Sequence, residues 1–221
     1  MRISVVLPAY NAGETIGPLL GRVLEFVPKS GIIVVDDGST DDTSQQCRKM
    51  GIEPIRHPRN MGKGCALRAG MAEAVRRGAD AVITLDADGQ HRPGHIPDFV
   101  KLFRDSGCHI IMGSRKRRFS YLPFDRLLSN RITTVVVSLL AGVRLEDSQS
   151  GYRLLSAEAI RSVPTKTDRY QMESEFLIRA GRMGLAVGHL PIDNQPSATS
   201  HIRRGRDTVR FLAMALGMLW L

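Results

Sequence analysis

Apolar residues fall in short runs along the first half of the chain, and each run stops at a turn former before a stretch of helical spacing begins. Ile3 to Leu7 is continuously apolar and ends at Pro8. After Asn11, the positions Ile16, Leu19, Leu20, Val23, Leu24 and Val27 repeat as on one helix face. Ile32 to Val35 is a second strand pattern, closed by Asp36-Asp37-Gly38-Ser39-Thr40-Asp41-Asp42. Ser39 with Asp42 predicts a capping box there, opening a helix that Gly51 ends. A short strand is expected at Pro54-Ile55-Arg56, a helix from Asn60-Met61-Gly62-Lys63-Gly64 to about Arg77, and a buried strand at Ala81 to Thr84. Helices between buried strands require parallel pairing through right-handed crossovers. The expected fold class is therefore α/β, a mostly parallel central sheet flanked by helices on both faces. Ligands of such sheets lie beyond the carboxyl ends of the strands, which gathers Pro8 to Asn11, Asp36-Asp37 and Asp86-Asp88 around one crevice.

The last of these strands runs into Leu85-Asp86-Ala87-Asp88-Gly89-Gln90-His91, and Pro93 and Gly94 break the chain after it. Side chains alternate along a strand, so Asp86 and Asp88 are expected on one face with Ala87 turned away. Two like charges so placed call for a cation, and an all-oxygen donor set suits magnesium or manganese better than zinc. A solvated loop with two incidental aspartates is the competing reading, weakened by the buried strand in front. The phosphate-binding glycine loops are excluded. A P-loop needs Gly where His57 stands and Ser or Thr where Gly64 stands, and Leu67 occupies the third glycine's place of a dinucleotide fingerprint.

Charge separates the two halves. The net charge is +9 over 221 residues; residues 1–109 carry 14 Lys and Arg against 13 Asp and Glu, and residues 110–221 carry 17 against 9. An anionic partner should meet the second half. There Arg115-Lys116-Arg117-Arg118 is interleaved with Phe119, Tyr121 and Phe124, Arg126 and Arg131 follow, and Ile132 to Val143 is apolar but too short to span a bilayer. Basic residues beside such a segment suit an anionic membrane surface. Nucleic acid is not an expected partner, because carboxylates at a strand end repel phosphate. A strand is expected from Arg153 through Leu155 and a helix from Met172 to Met183 carrying Glu173 and Glu175, with Glu175 read as a helix-face charge. Arg203 and Arg206 lie in a basic loop that could close over a diphosphate. Phe211 to Leu221 is apolar, so the expected division is a domain over 1–206 and a C-terminal helix over 207–221. Cys47, Cys65 and Cys108 have no metal-site spacing and read as small buried residues of a reducing compartment. Met1 leads straight into the first strand pattern, so a cytoplasmic location without signal peptide or spanning helix is expected.

Taken together and in order, Val5-Val6-Leu7-Pro8-Ala9-Tyr10-Asn11, Val34-Val35-Asp36-Asp37-Gly38-Ser39-Thr40-Asp41, Asn60-Met61-Gly62-Lys63-Gly64, Asp86-Ala87-Asp88-Gly89-Gln90-His91, Gly113-Ser114-Arg115 and Ser150-Gly151-Tyr152-Arg153 resemble family 2 of the inverting glycosyltransferases, and within it the dolichol-phosphate mannosyltransferase-like polyprenyl-phosphate sugar transferases. The resemblance spans roughly residues 3 to 180 and implies a GT-A fold with a nucleotide-sugar donor. It implies that Pro8, Tyr10, Asn11, Asp37, Lys63 and Asp86-Ala87-Asp88 bind the donor. Asp86, Asp88 and Gln90 would hold magnesium or manganese. Asp88 and Arg115 would be catalytic, and Arg115, Arg126, Arg131, Arg203 and Arg206 would serve the acceptor phosphate. The chain departs from the family at Ala12, where Glu is frequent at a nucleoside-contacting position. The expected reaction is metal-dependent inverting transfer of a hexose to a lipid phosphate by a protein attached peripherally to the inner membrane face. Transfer to a hydroxyl, with Asp147 or Glu173 as base, is the alternative, and a non-catalytic binding module a distant one. The sugar, the base and the oligomeric state are not fixed by these residues.

Overall fold

The chain order is β1 (Ile3–Ala9), α1 (Gly13–Val23), β2 (Ile32–Asp36), α2 (Thr43–Lys49), β3 (Ile55–Arg56), α3 (Lys63–Arg76), β4 (Ala81–Thr84), α4 (Ile96–Ser106), β5 (Ile110–Arg115), α5 (Phe124–Ala141), β6 (Arg153–Ser156), α6 (Ala157–Ser162), α7 (Gln171–Arg182) and β7 (Val187–Ile192). This computed structural model describes residues 1–115, 124–193, 211 and 213–218, with the backbone alone for 124–128. Residues 211 and 213–218 are helical. Among the described residues no helix is long and apolar enough to cross a membrane.

The seven strands form one sheet in the order β3-β2-β1-β4-β6-β5-β7. β1 pairs in parallel with β2 and β4, and β2 with β3. β6 is antiparallel to both β4 and β5, and β5 is parallel to β7. Two reversals restore the direction, so the C-terminal ends of all strands but β6 share one edge. Pro8 to Asn11, Asp36-Asp37, Asp86-Asp88 and Arg115 all belong to that edge, and Gly151-Tyr152 joins them because β6 starts where the others stop.

Alternation along the strands supplies both faces with core. Val5, Leu7, Val34 and Ile83 pack with Ile16 and Leu20 of α1 and Phe99 of α4. Val6, Val35 and Val82 turn the other way, to Leu67 and Met71 of α3 and Phe176 of α7. Each fully buried aliphatic or aromatic side chain contributes roughly 1.5–3 kcal/mol relative to exposure, so the sheet is anchored from both sides. α4 illustrates the local signals: Pro97 sits in its first turn, where a missing N–H leaves no bond unmade, and Gly107 ends it in the left-handed region. Of the three free cysteines, Cys47 is buried, and burial followed by the charge of Asp36 pushes its thiol up to about 11. Cys65 and Cys108 are only half-buried, not enclosed as expected.

Candidate active site

The β1 and β2 ends are locked to each other. Asn11 adopts a positive φ of 50°. Its N–H donates to Ser39 Oγ at 2.9 Å and its Oδ1 accepts from the Thr40 N–H at 2.9 Å. Asp36 is fully buried; Oδ1 accepts from the Ser39 N–H at 2.8 Å, Oδ2 accepts from the Ser44 hydroxyl, and Arg56 lies 3.5 Å away. Burial raises the Asp36 pKa, but the bonds from Ser39 and Ser44, aided by Arg56, hold it below the usual carboxylate value. Asp37 is also buried and accepts from His57 Nδ1 at 2.7 Å, from the Met61 N–H at 2.9 Å and from the Gly62 N–H at 2.8 Å. Pro8 is enclosed within β1, whereas Tyr10 beside it is 39% exposed. The expected capping box does not form. Ser39 Oγ is engaged by Asn11, and Asp41 Oδ1 rather than Ser39 accepts the Thr43 N–H at the start of α2, at 3.0 Å.

The Asp86-Asp88 segment corrects another expectation, since β4 ends at Thr84 and the two aspartates lie in the turn beyond it. Gly89 completes this turn with a φ of 73°. Ala87 is nevertheless turned into the core, and its carbonyl accepts from the Thr15 hydroxyl at 2.6 Å, leaving a part-exposed carboxylate on each side. Lys63, at the start of α3, brings Nζ to 2.7 Å from Asp86 Oδ1 and 2.9 Å from Glu173 Oε2, and 5.8 Å from the centre of the Tyr170 ring. Gly151 has no room for a side chain, because the Asp86 carboxylate lies where its Cβ would stand. Burial raises the Asp86 pKa, but Lys63, then His91 and Arg153, outweigh it and hold the group charged. Burial and the neighbouring Asp86 charge push Asp88 up, against one bond from the Gln90 N–H at 3.0 Å.

Arg115 closes β5 at the same edge. Its Nε donates to Asp147 Oδ2 at 2.6 Å and a terminal nitrogen to Oδ1 at 2.8 Å. Burial would lower the Arg115 pKa, but Asp147, with Asp86 and Asp88 behind it, raises it. Asp147 moves in the opposite sense: burial raises it, and the Arg115 bonds bring it below the usual range. Arg131 is exposed on α5. Arg126 belongs to the same helix, its side chain outside the described residues, as are Lys116 to Arg118, Arg203 and Arg206.

Three features were missed in the sequence. Arg153, 3% exposed, donates to the Ser150 and Ser148 carbonyls at 2.8 Å each and to the Glu173 carbonyl at 3.0 Å, clamping the 148–150 turn to α7. Glu175 is no helix-face charge: it is buried and accepts from the Lys166 and Thr167 N–H groups and from Arg179. Gly62 and Gly64 abut the backbone of Asp168 and Arg169, where any side chain would collide. Residues 64 to 168 are far apart in the chain, so no local pattern announced these contacts.

Among the described residues no group of three His, Cys, Asp or Glu is placed to hold a metal ion. Asp86 and Asp88 offer an all-oxygen pair in which one carboxylate resists ionisation beside the other. That donor chemistry fits magnesium or manganese, which keep coordination positions for phosphate oxygens and water.

This mostly parallel sheet, with a carboxylate pair past a central strand, a lysine on one of them and an arginine nearby, matches the GT-A fold of nucleotide-sugar glycosyltransferases. The chain belongs to glycosyl transferase family 2, whose sequence pattern matches residues 4–164. It is similar to the UDP-N-acetylglucosamine–dolichyl-phosphate N-acetylglucosaminyltransferase of Methanococcus voltae, 31% identical, over 86% of this chain and 84% of that one. The undecaprenyl-phosphate mannosyltransferase of Micrococcus luteus is 27% identical over 87% and 83%. Among solved structures, glucosyl-3-phosphoglycerate synthase from Mycobacterium tuberculosis, in complex with Mn2+, UDP and glucosyl-3-phosphoglycerate, superposes with a TM-score of 0.77 at 25% identity, covering 98% of this chain and 79% of that one.

Proposed function

We propose that this glycosyltransferase moves a hexose from a nucleotide-sugar to the phosphate of a polyprenyl or dolichyl phosphate, with inversion at the anomeric carbon, at the cytoplasmic face of a membrane. The observation that carries the reading is the state of Asp147 and Glu173, the two acids that a hydroxyl acceptor would call on as base. Asp147 accepts two bonds from one edge of the Arg115 guanidinium, and Glu173 is held by Lys63. A hydroxyl acceptor needs a base to take its proton, and a carboxylate held low by an arginine is a poor one. A phosphate acceptor is already ionised. The names of the relatives from Methanococcus voltae and Micrococcus luteus, which specify dolichyl and undecaprenyl phosphate, support the same acceptor class.

In this mechanism Arg115, kept in plane by Asp147, orients the acceptor phosphate. One phosphate oxygen attacks the anomeric carbon from the side opposite the nucleoside diphosphate. The bond from that carbon to the diphosphate oxygen breaks, its electron pair leaves with the diphosphate, and no proton is transferred. Tyr10 and the 37–40 turn meet the nucleoside, and Lys63 faces the negative charge that gathers on the leaving group. Asp86, Asp88 and Gln90 would hold a divalent cation, which would supply neutralisation of the pyrophosphate charge. At the nucleoside-contacting position Ala12 presents no carboxylate; its N–H donates to Thr43 Oγ1 at 2.8 Å. Residues 1–206 form the catalytic unit in this reading and 207–221 an apolar segment at the membrane.

The test is transfer from labelled UDP- and GDP-hexoses, with Mn2+, to a polyprenyl phosphate or to the matching polyprenol. Label should enter the phosphate-bearing lipid alone, as the β-linked product that inversion of an α-linked donor gives. Preferential labelling of the polyprenol would overturn the reading in favour of a hydroxyl acceptor, and absence of both transfer and hydrolysis would leave a binding module.

A further inference from the structure

We infer that the outward face of α5 is a docking surface for an anionic lipid bilayer. Ile132, Val135 and Leu139 are 56%, 52% and 77% exposed, and their spacing puts them on one side of the helix. The opposite side is buried, and it holds the polar contacts. Thr134 Oγ1 lies 3.1 Å from Ser148 Oγ, and Ser138 Oγ donates to the Thr134 carbonyl at 2.7 Å. A helix that faces water on its outer side carries polar residues there and aliphatic ones within. In this part of α5 the inner side takes Val137 and Ala141 together with Thr134, and Ile132, Val135 and Leu139 are left facing outward.

The charges around the stripe select the occupant. Arg131 is exposed beside it, Arg144 is exposed just past the helix end, and Arg182 donates through Nε to the Leu140 carbonyl at 2.8 Å while remaining exposed. Among the described residues, Glu146 is an exposed acid near the helix end. A second copy meeting this face across a two-fold axis would bring the arginines of both rims together, whereas anionic headgroups would neutralise them. Because no described helix can cross a membrane, α5 would lie in the interfacial plane with its aliphatic residues among the acyl chains. The surface is also well placed. Ser148, in contact with Thr134, follows Asp147, which grips Arg115, so the inner side of α5 is linked to the acceptor guanidinium through two adjacent residues. The usefulness of that proximity rests on the proposed lipid-phosphate acceptor; the docking itself does not.

Sedimentation of the full chain with phosphatidylcholine vesicles, with and without phosphatidylglycerol, measures docking in the absence of donor and acceptor. Binding should require the anionic lipid and weaken with salt, and V135S combined with L139E should reduce the partition coefficient about tenfold or more without lowering the melting temperature. Undiminished binding of the double variant, or equal binding to neutral vesicles, overturns the inference. So does a dimer, seen by analytical ultracentrifugation, that the double substitution dissociates while vesicle binding persists. With a short, water-soluble polyprenyl phosphate the double variant should keep kcat within about twofold, since exposed substitutions away from the chemistry change little. If the parent chain transfers to no polyprenyl phosphate but still docks through α5, the acceptor reading falls and the docking surface stands.

Discussion

Two aspartate pairs lie at the same edge of the same sheet, at the ends of β2 and β4 on either side of β1, and they differ in what surrounds them. Asp36 and Asp37 are buried and saturated: between them they accept from Ser39, Ser44, His57, Met61 and Gly62. Asp86 and Asp88 are part-exposed; Lys63, with His91 and Arg153 behind it, holds Asp86 charged, whereas Asp88 accepts from the Gln90 N–H and is pushed toward its neutral form. Full hydrogen bonding suits carboxylates that build the crevice, and a carboxylate raised by its neighbour, as Asp88 is by Asp86, suits the cation site proposed there. The resemblance to family 2 assigned Asp37 to the nucleoside. Its three donors mean that any such contact is made by a group already holding the 57–62 segment in place.

The largest expected effect separates the pairs by activity. Asp88→Asn should cut hexose transfer by about a hundredfold or more while leaving the melting temperature unchanged or slightly higher, since a poorly compensated charge is removed. Transfer rates and thermal melts on the same preparation check both halves. Next comes stability. Asp37→Ala strands the Met61 and Gly62 N–H groups and His57, and should cost roughly 3 kcal/mol, or about 10 °C in melting temperature for a chain of this size. A smaller loss from Asp37→Ala than from Asp88→Asn would break the comparison. The smallest effect is a pH dependence. The folded pKa of Asp36 lies below its unfolded value near 3.8, so its contribution is complete above that value and is lost as pH falls through the folded pKa. Asp36→Asn should therefore lower stability at pH 7 by about 1–2 kcal/mol and flatten the acid limb of the stability curve, as urea unfolding at pH 7 and pH 3 would read.

Much of this fold was legible because buried parallel strands are written as bare apolar runs punctuated by glycine and proline. Ala81 to Thr84, Ile32 to Val35 and the helix opening at Lys63 follow directly from that pattern. The edge on which the candidate site forms was legible too, since parallel strands leave no other common end. What stayed hidden depends on distant partners. Nothing in Ser39 or Asn11 alone foretells a bond across 28 positions, and it is that bond which dissolves the expected capping box. Asp36-Asp37 and Asp86-Asp88 look alike as text; only the loops folded against the first pair distinguish them. Glu175 read as a surface charge because the 166–167 backbone that covers it arrives from outside its helix. The distinction between Asp147 as base and Asp147 as the anchor of Arg115 likewise required the geometry of the guanidinium fork.

Titration of the protein with Mn2+ in the presence of a nucleoside diphosphate, followed by the loss of the free-ion electron paramagnetic resonance signal, reads the ion directly at the unsaturated pair. One ion should bind per chain, its affinity should rise with the nucleotide, and Asp86→Asn or Asp88→Asn should abolish it while Asp36→Asn does not. Unaltered Mn2+ binding by the Asp88→Asn protein would contradict the assignment of donor capture to these two carboxylates.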